Sequence, residues 1–115
     1  MGFSAGGHLA AMVGMVAPLE GRPDFLVLGY PAIPAVLQVT TAVPRTFIVA
    51  AEDDPTVNPA ENAGRFFAAL RAAKIPAELH IYSSGGHGFG MIQTGKTSAT
   101  WPTALVAWLK EAKLN

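Results

Sequence analysis

The chain has 115 residues, so we expect residues 1–115 to form a single domain with one hydrophobic core. Eight basic and eight acidic residues balance to a net charge of zero and form no runs, which argues against nucleic acid and anionic membrane surfaces as partners. The absence of cysteine excludes disulfides, thiolate metal sites and cysteine nucleophiles.

A Gly-x-Ser-x-Gly turn occupies residues 2–6, with Ser4 at its centre. In such a turn the serine lies between a strand and a helix, and small residues are needed two positions before and after it because side chains there would collide with backbone. Gly2 and Gly6 meet that need. Apolar residues then recur with helical spacing as far as Pro18, namely Leu9, Met12, Val13 and Val16. The pattern predicts a buried helix with Ser4 at its N-terminal end.

Three short apolar runs predict strands, at residues 25–28, 46–50 and 77–82. The first run is closed by Gly29, Tyr30 and Pro31, and the second ends in the polar cluster 52–55. Continuous apolar runs of this length are typical of strands that are buried on both faces of a parallel sheet.

Two further helices are predicted downstream. Asn58 has the position of an N-cap, Pro59 follows at the first helical position, and Glu61 lies in the first turn of a helix that extends to about residue 74. A terminal amphipathic helix begins around residues 100–102. Strands joined by helical crossovers predict an α/β fold with about three parallel strands and three main helices.

Candidate catalytic groups follow the predicted strands. Ser4 comes after what would be a strand, Asp53 and Asp54 follow the second apolar run, and His87 lies in the glycine-dense loop after the third. The carboxyl ends of parallel strands meet at one edge of the sheet, where ligands bind in open α/β folds. A serine hydroxyl with a base beside it and a carboxylate to orient that base is the arrangement for nucleophilic acyl transfer.

Three segments resemble the motif blocks of α/β-hydrolase esterases, specifically the acetyl-xylan-esterase and feruloyl-esterase-like branch: residues 2–10, 53–57 and 86–90. Residues 61–82 are similar to that branch as well, so the resemblance covers nearly the whole chain. It implies a truncated, minimal α/β-hydrolase fold that acts on small esters through an acyl-enzyme and needs no cofactor.

The resemblance also implies roles for individual residues. Ser4 would be the nucleophile, His87 the general base and then the general acid, and the Ala5 N–H one donor of the oxyanion hole. In the family pattern the triad aspartate stands three residues before a valine, as Asp54 does here. The residue after that valine is not the proline that the family more often has, so Asp53 stays open as an alternative.

A large part of the fold would precede the Ser4 turn according to this resemblance, whereas the sequence begins at the turn. That part would include the loop with the second oxyanion donor, so we expect a weak esterase at best. We also expect an uncovered apolar edge along residues 25–28, and therefore a homo-oligomer, most simply a dimer joined near that edge. Two alternatives stay open: a non-catalytic module that binds a small ligand or partner, and a chain in which Met1 is internal to a longer enzyme.

Three further residues near the candidate triad, Tyr30, Phe89 and Met91, are candidates for the wall of a substrate pocket. No two histidines have the spacing of a zinc site, so no metal is expected. The sequence shows no basic segment followed by an apolar one, and no apolar stretch approaches about eighteen residues. We therefore expect a cytoplasmic protein whose partner is a small ester substrate.

Overall fold

The computed structural model describes residues 1–114, which form a four-stranded parallel sheet with helices on both faces. In chain order the elements are β1 (Gly2–Phe3), α1 (Ala5–Val16), β2 (Phe25–Gly29), β3 (Arg45–Ala51), α2 (Arg65–Ala72), β4 (Ala77–Tyr82) and α3 (Trp101–Glu111). The strands are adjacent in the order β1-β2-β3-β4. Within residues 1–114, no helix is long and apolar enough to cross a membrane.

The predicted parallel α/β architecture is confirmed, and the structure adds one strand to it. In β1, Gly2 is paired with Leu28 and Phe3 with Gly29. A strand of two residues is too short to produce a hydrophobic pattern, which is why the sequence predicted about three strands. The second predicted helix also ends earlier than expected, because the backbone leaves the helix at Lys74, where φ is +60°.

Two apolar layers hold the sheet, because β2 and β3 send alternate side chains to opposite faces. Leu26, Leu28 and Ile48 pack on one face against Ala11 of α1 and Phe66 of α2. On the opposite face, the strand side chains Val27, Phe47 and Val49 are buried. They pack with Phe89 of the loop after β4 and Trp101 of α3. Both faces of the central strands are therefore covered, as their continuous apolar sequences require.

The outer edge of β2 is covered only in part. β1 pairs with Leu28 and Gly29, whereas residues 25–27 have no strand partner on that side within the described chain. Beside them lies an open apolar groove of about 480 Å³, lined mainly by Met1, Leu9, Ala10, Val13, Phe25 and Leu26, which we call the edge groove. The uncovered edge expected over residues 25–28 is thus limited to its first three residues.

Removal of the Phe47 ring tests this packing. Phe47 is fully buried at the centre of β3, with its ring near those of His80 and Trp108. We expect Phe47→Ala to lower the free energy of unfolding by about 3 to 5 kcal/mol, since it removes apolar contacts and leaves a cavity. Val36→Ala, at a side chain that is 83% exposed, is the control and should change stability by less than about 0.5 kcal/mol. Urea denaturation measures both; equal effects would contradict the assigned core.

Candidate active site

Ser4 lies at the turn between β1 and α1 in a strained backbone conformation, with φ of 53° and ψ of −118°. Positive φ is uncommon for a residue with a side chain, and such strain costs about 1 to 3 kcal/mol. Backbone hydrogen bonds hold the turn: the Ser4 N–H donates to the Gly29 carbonyl at 2.9 Å, and the Ser4 carbonyl accepts from the N–H groups of His8 at 3.1 Å and Ala32 at 3.3 Å. The hydroxyl is thereby presented at the carboxyl edge of the sheet.

The two glycines of the turn are not equivalent. A Cβ on Gly2 would lie 2.0 Å from the Gly6 carbonyl oxygen, so only glycine fits at that position. A Cβ on Gly6 would meet nothing within 4 Å. The expected need for a small residue therefore holds at Gly2, while at Gly6 the described residues leave open space, because Gly6 borders the edge groove.

Ser4, His87 and Asp54 form a continuous line of hydrogen bonds. The Ser4 Oγ lies 2.8 Å from Nε2 of His87, and Nδ1 of His87 lies 2.7 Å from Oδ2 of Asp54. A carboxylate can only accept, so Nδ1 donates to Asp54, and Nε2 is the ring nitrogen that faces the serine hydroxyl. The Asp54 side chain is 1% exposed and that of His87 is 21% exposed. The imidazole is thus accessible from solvent and its carboxylate partner is not.

Asp54 is oriented by the backbone of its own turn. Its Oδ1 accepts hydrogen bonds from the N–H groups of Thr56 at 2.8 Å and Val57 at 2.9 Å. Burial tends to raise the pKa of Asp54, but the hydrogen bonds from Val57, His87 and Thr56 outweigh it, so the pKa lies below its usual 3.8. Asp54 is therefore ionised at neutral pH and points its second oxygen at the imidazole.

Asp53 has a different partner from Asp54, a distinction that the sequence left open. Its Oδ1 accepts the N–H groups of Gly85 at 2.8 Å and Gly86 at 2.7 Å, in the loop that carries His87. The sequence indicates Asp53 only as the alternative acid and does not predict this contact. Two adjacent carboxylates after a strand were the available signal, but spacing along the chain does not reveal which of them faces a ring and which faces a backbone.

The Ala5 N–H lies at the start of α1, next to the serine. The first N–H groups of a helix have no acceptor within the helix and carry a partial positive charge. A developing oxyanion beside Ser4 would be stabilised by such a group. Ala5 therefore has the position that the family resemblance implies for an oxyanion donor.

The candidate pocket residues separate into buried and exposed ones. Tyr30 and Phe89 are each 5% exposed, and their rings lie 4.9 Å apart between centroids. The Tyr30 ring also lies 5.0 Å from that of His87, edge to face, and burial raises its pKa, so the phenol stays neutral. The two rings are packed in the core and leave little surface for a substrate. Met91 is 63% exposed and is the one of the three that offers an accessible side chain.

No group of three metal-ligating side chains is close enough to hold an ion within residues 1–114. His80, which lies outside the line of hydrogen bonds from Ser4 to Asp54, is 2.6 Å from the Glu78 carboxylate and stacks on Tyr82. The side chains that converge at the sheet edge are thus a hydroxyl, an imidazole and carboxylates, which suit proton transfer and nucleophilic attack.

Comparison with solved structures identifies the class of fold. The chain superposes on an acetyl ester-xyloside bifunctional hydrolase from Caldicellulosiruptor lactoaceticus with a TM-score of 0.87 and 30% identity, over 98% of this chain and 56% of that one. An α/β hydrolase from a Medee basin deep-sea metagenome gives a TM-score of 0.83 and 28% identity, over 96% and 52%. The protein has the α/β-hydrolase fold.

Sequence comparison identifies the family. The model of the prolyl oligopeptidase family matches residues 21–114, and the chain belongs to that family. It is 33% identical to an acetylxylan esterase from Xylanibacter ruminicola in a match that covers 78% of this chain and 25% of that protein. It is 29% identical to the endo-1,4-beta-xylanase B of Butyrivibrio fibrisolvens, and that match covers 76% of this chain and 20% of that protein. The chain thus spans a quarter or less of these relatives and about half of the solved structures.

The ionised state of Asp54 predicts how stability depends on pH. A carboxyl group with a lowered pKa in the folded state adds stability that is fully present above its unfolded pKa and is lost as the pH falls through its folded pKa. We expect the urea midpoint to fall between about pH 5 and pH 2, and to fall less in Asp54→Asn, which lacks this titration. Glu52→Gln, at an exposed neighbour, is the control and should follow the wild type. An equal fall in Asp54→Asn and wild type would contradict the assignment.

Proposed function

We propose that this chain carries the catalytic triad of a serine hydrolase of the carboxylesterase type, with Ser4 as nucleophile, His87 as general base and then acid, and Asp54 as the acid of the triad. The observation that carries the proposal is the unbroken line of hydrogen bonds from Asp54 through His87 to Ser4, at 2.7 and 2.8 Å. The contact between Ser4 and His87 is within the range in which a base accepts a hydroxyl proton. The strained turn at Ser4 is further support, because strain of this kind clusters at functional sites.

The geometry supports a two-step reaction. The Ser4 Oγ attacks the ester carbonyl carbon while Nε2 of His87 takes the hydroxyl proton, and the carbonyl oxygen becomes an oxyanion beside the Ala5 N–H. The bond to the alcohol then breaks, and His87 returns the proton to the leaving oxygen. A water molecule, deprotonated by His87, next attacks the acyl-serine. The acid leaves, and the proton goes back to Ser4.

Short acyl esters are the substrate class that we propose. The acetylxylan esterase of Xylanibacter ruminicola and the acetyl ester-xyloside hydrolase of Caldicellulosiruptor lactoaceticus are at least 30% identical to this chain, and both names specify acetyl esters. The reaction needs only side chains and water, so we propose no cofactor. The exposed Met91 is the side chain that we propose to contact the substrate.

The Ala5 N–H is the oxyanion donor that we propose among residues 1–114. In enzymes of this kind one such donor changes turnover by about a hundredfold to a thousandfold. Activated esters, whose alcohols leave readily, are the substrates that test the proposal most sensitively.

Removal of the Ser4 hydroxyl tests the proposal. We expect Ser4→Ala to abolish the hydrolysis of an activated short-chain ester, because no other group would form the acyl-enzyme. The same change should abolish labelling by a serine-directed phosphonate, detected by mass spectrometry. Ser83→Ala, at an exposed serine after β4, is the matched control and should retain wild-type rate and labelling. Equal rates in wild type and Ser4→Ala, with no labelling of Ser4, would favour the non-catalytic ligand-binding alternative.

We also propose that two copies of the chain associate through the edge groove. Residues 25–27 present an unpaired strand edge, and Leu9 at 65% and Val13 at 42% exposure extend the apolar surface. An uncovered apolar edge is a template for pairing. None of the lining side chains is charged, so the same surface on a second copy meets no like-charge repulsion.

A charge placed in the edge groove tests this association. We expect wild type to have the mass of two chains by light scattering at micromolar concentration, and Leu9→Asp to have the mass of one chain, because burial of a carboxylate against apolar residues is unfavourable. Val36→Asp, at an exposed position outside the groove, is the control and should stay dimeric. A wild-type mass of one chain across the concentration range would overturn the proposal.

A further inference from the structure

The loop that carries His87, residues 83–90, has little backbone support of its own. Glycines with positive φ flank the histidine, at 65° for Gly86 and 84° for Gly88. Among the backbone hydrogen bonds outside the helices and strands of residues 1–114, one involves this loop: the Ile92 N–H donates to the Phe89 carbonyl at 3.1 Å. Glycine has the greatest backbone freedom of any residue. Contacts from outside the loop must therefore fix where His87 lies.

One such contact comes from Asp53, which is not a member of the proposed triad. A single oxygen, Oδ1, accepts the N–H groups of two successive residues, Gly85 at 2.8 Å and Gly86 at 2.7 Å. These are the two residues immediately before His87. Hydrogen bonds to a carboxylate are shorter and roughly twice as strong as those between neutral groups.

The charge state of Asp53 is consistent with this contact. Its pKa lies below the usual 3.8, chiefly because the Gly86 N–H stabilises the carboxylate, with further lowering from Gly85 and from the positive charge of Lys96, against an opposing effect of desolvation. The side chain is exposed at the surface, so its hydrogen bonds compete with water. An interaction of this kind adds little to global stability.

Asp53 and Asp54 hold the histidine loop at two successive points. Asp54 binds the ring of His87 through Nδ1 at 2.7 Å, while Asp53 binds the backbone one and two residues earlier. After His87, the loop is also held at Gly90, whose carbonyl accepts the Trp101 Nε1–H at 2.7 Å. Before His87, a shift of the glycine backbone would carry Nε2 away from Ser4. Hydrogen bonds weaken steeply with distance and angle, and the contact between His87 and Ser4 is 2.8 Å.

We infer that Asp53 is a positioning residue: by binding the N–H groups of Gly85 and Gly86, it holds the His87 backbone where the imidazole reaches both Asp54 and Ser4. The inference rests on the proposed function as far as rate is concerned. The Asp53 carboxylate binds backbone N–H groups of the loop rather than Ser4 or the His87 ring, so it acts through the loop backbone. Its removal should lower the rate of the chemical step and leave substrate binding nearly unchanged.

Two variants test the inference through kinetics. We expect Asp53→Ala to lower kcat by about tenfold to a hundredfold with little change in KM, since a displacement on the order of 1 Å at a catalytic group costs about that much. Asp53→Asn keeps an oxygen that accepts both N–H groups, so it should restore most of the rate. Glu52→Ala, at the exposed residue directly before Asp53, is the matched control and should behave as wild type.

Nuclear magnetic resonance gives a readout that does not depend on activity. We expect Asp53→Ala to speed hydrogen exchange at the Gly85 and Gly86 amides and to shift or broaden the His87 Nδ1–H proton resonance, with Asp53→Asn intermediate. If Asp53→Ala does not fold, Asp53→Asn alone must show both changes in smaller degree. Unchanged exchange and an unchanged His87 signal would overturn the inference. If wild type hydrolyses no ester but Asp53→Ala still changes the amide exchange and the His87 signal, the proposed function is overturned and the positioning contact stands.

Discussion

The contact between the His87 imidazole and its two partners is the constraint on which the rest of the structure depends. The ring must lie between a hydroxyl 83 residues away and a carboxylate 33 residues away, with 2.8 and 2.7 Å on its two sides. A parallel sheet meets this demand because its strands end at one edge. Ser4 follows β1, Asp54 follows β3 and His87 follows β4, so the register of these strands sets the distances in the site.

The local structure around each group serves the same geometry. Ser4 is held at positive φ by backbone hydrogen bonds to the strands and loops beside it, and Gly2 allows the following helix to approach closely. Asp54 is held by two N–H groups of its own turn. The Tyr30 ring packs edge to face on both the His87 and the Phe89 rings. Groups held in place around the imidazole lower the cost of orienting the reacting atoms.

Some elements of this fold have a local sequence pattern and others do not. The Ser4 turn and the three apolar runs were recognisable because each has a local pattern, and the parallel fold follows from their order. β1 was not recognisable, since two residues carry no period. Nearness to the candidate triad predicts a pocket wall at Tyr30 and Phe89, and only packing reveals that their rings lie against each other and, for Tyr30, against His87.

The sequence by itself determined the fold class, the order of the chemical groups along the chain and the need for glycine at residue 2. These properties depend on local backbone conformation and on the pattern of apolar residues among neighbours along the chain. The tertiary structure alone decided the partners of two adjacent carboxylates. Asp53 and Asp54 are consecutive residues of the same type, yet one meets the amides of Gly85 and Gly86 and the other meets the His87 ring. Which neighbour each oxygen finds depends on how β3 and β4 align, and that alignment is a property of the packed sheet.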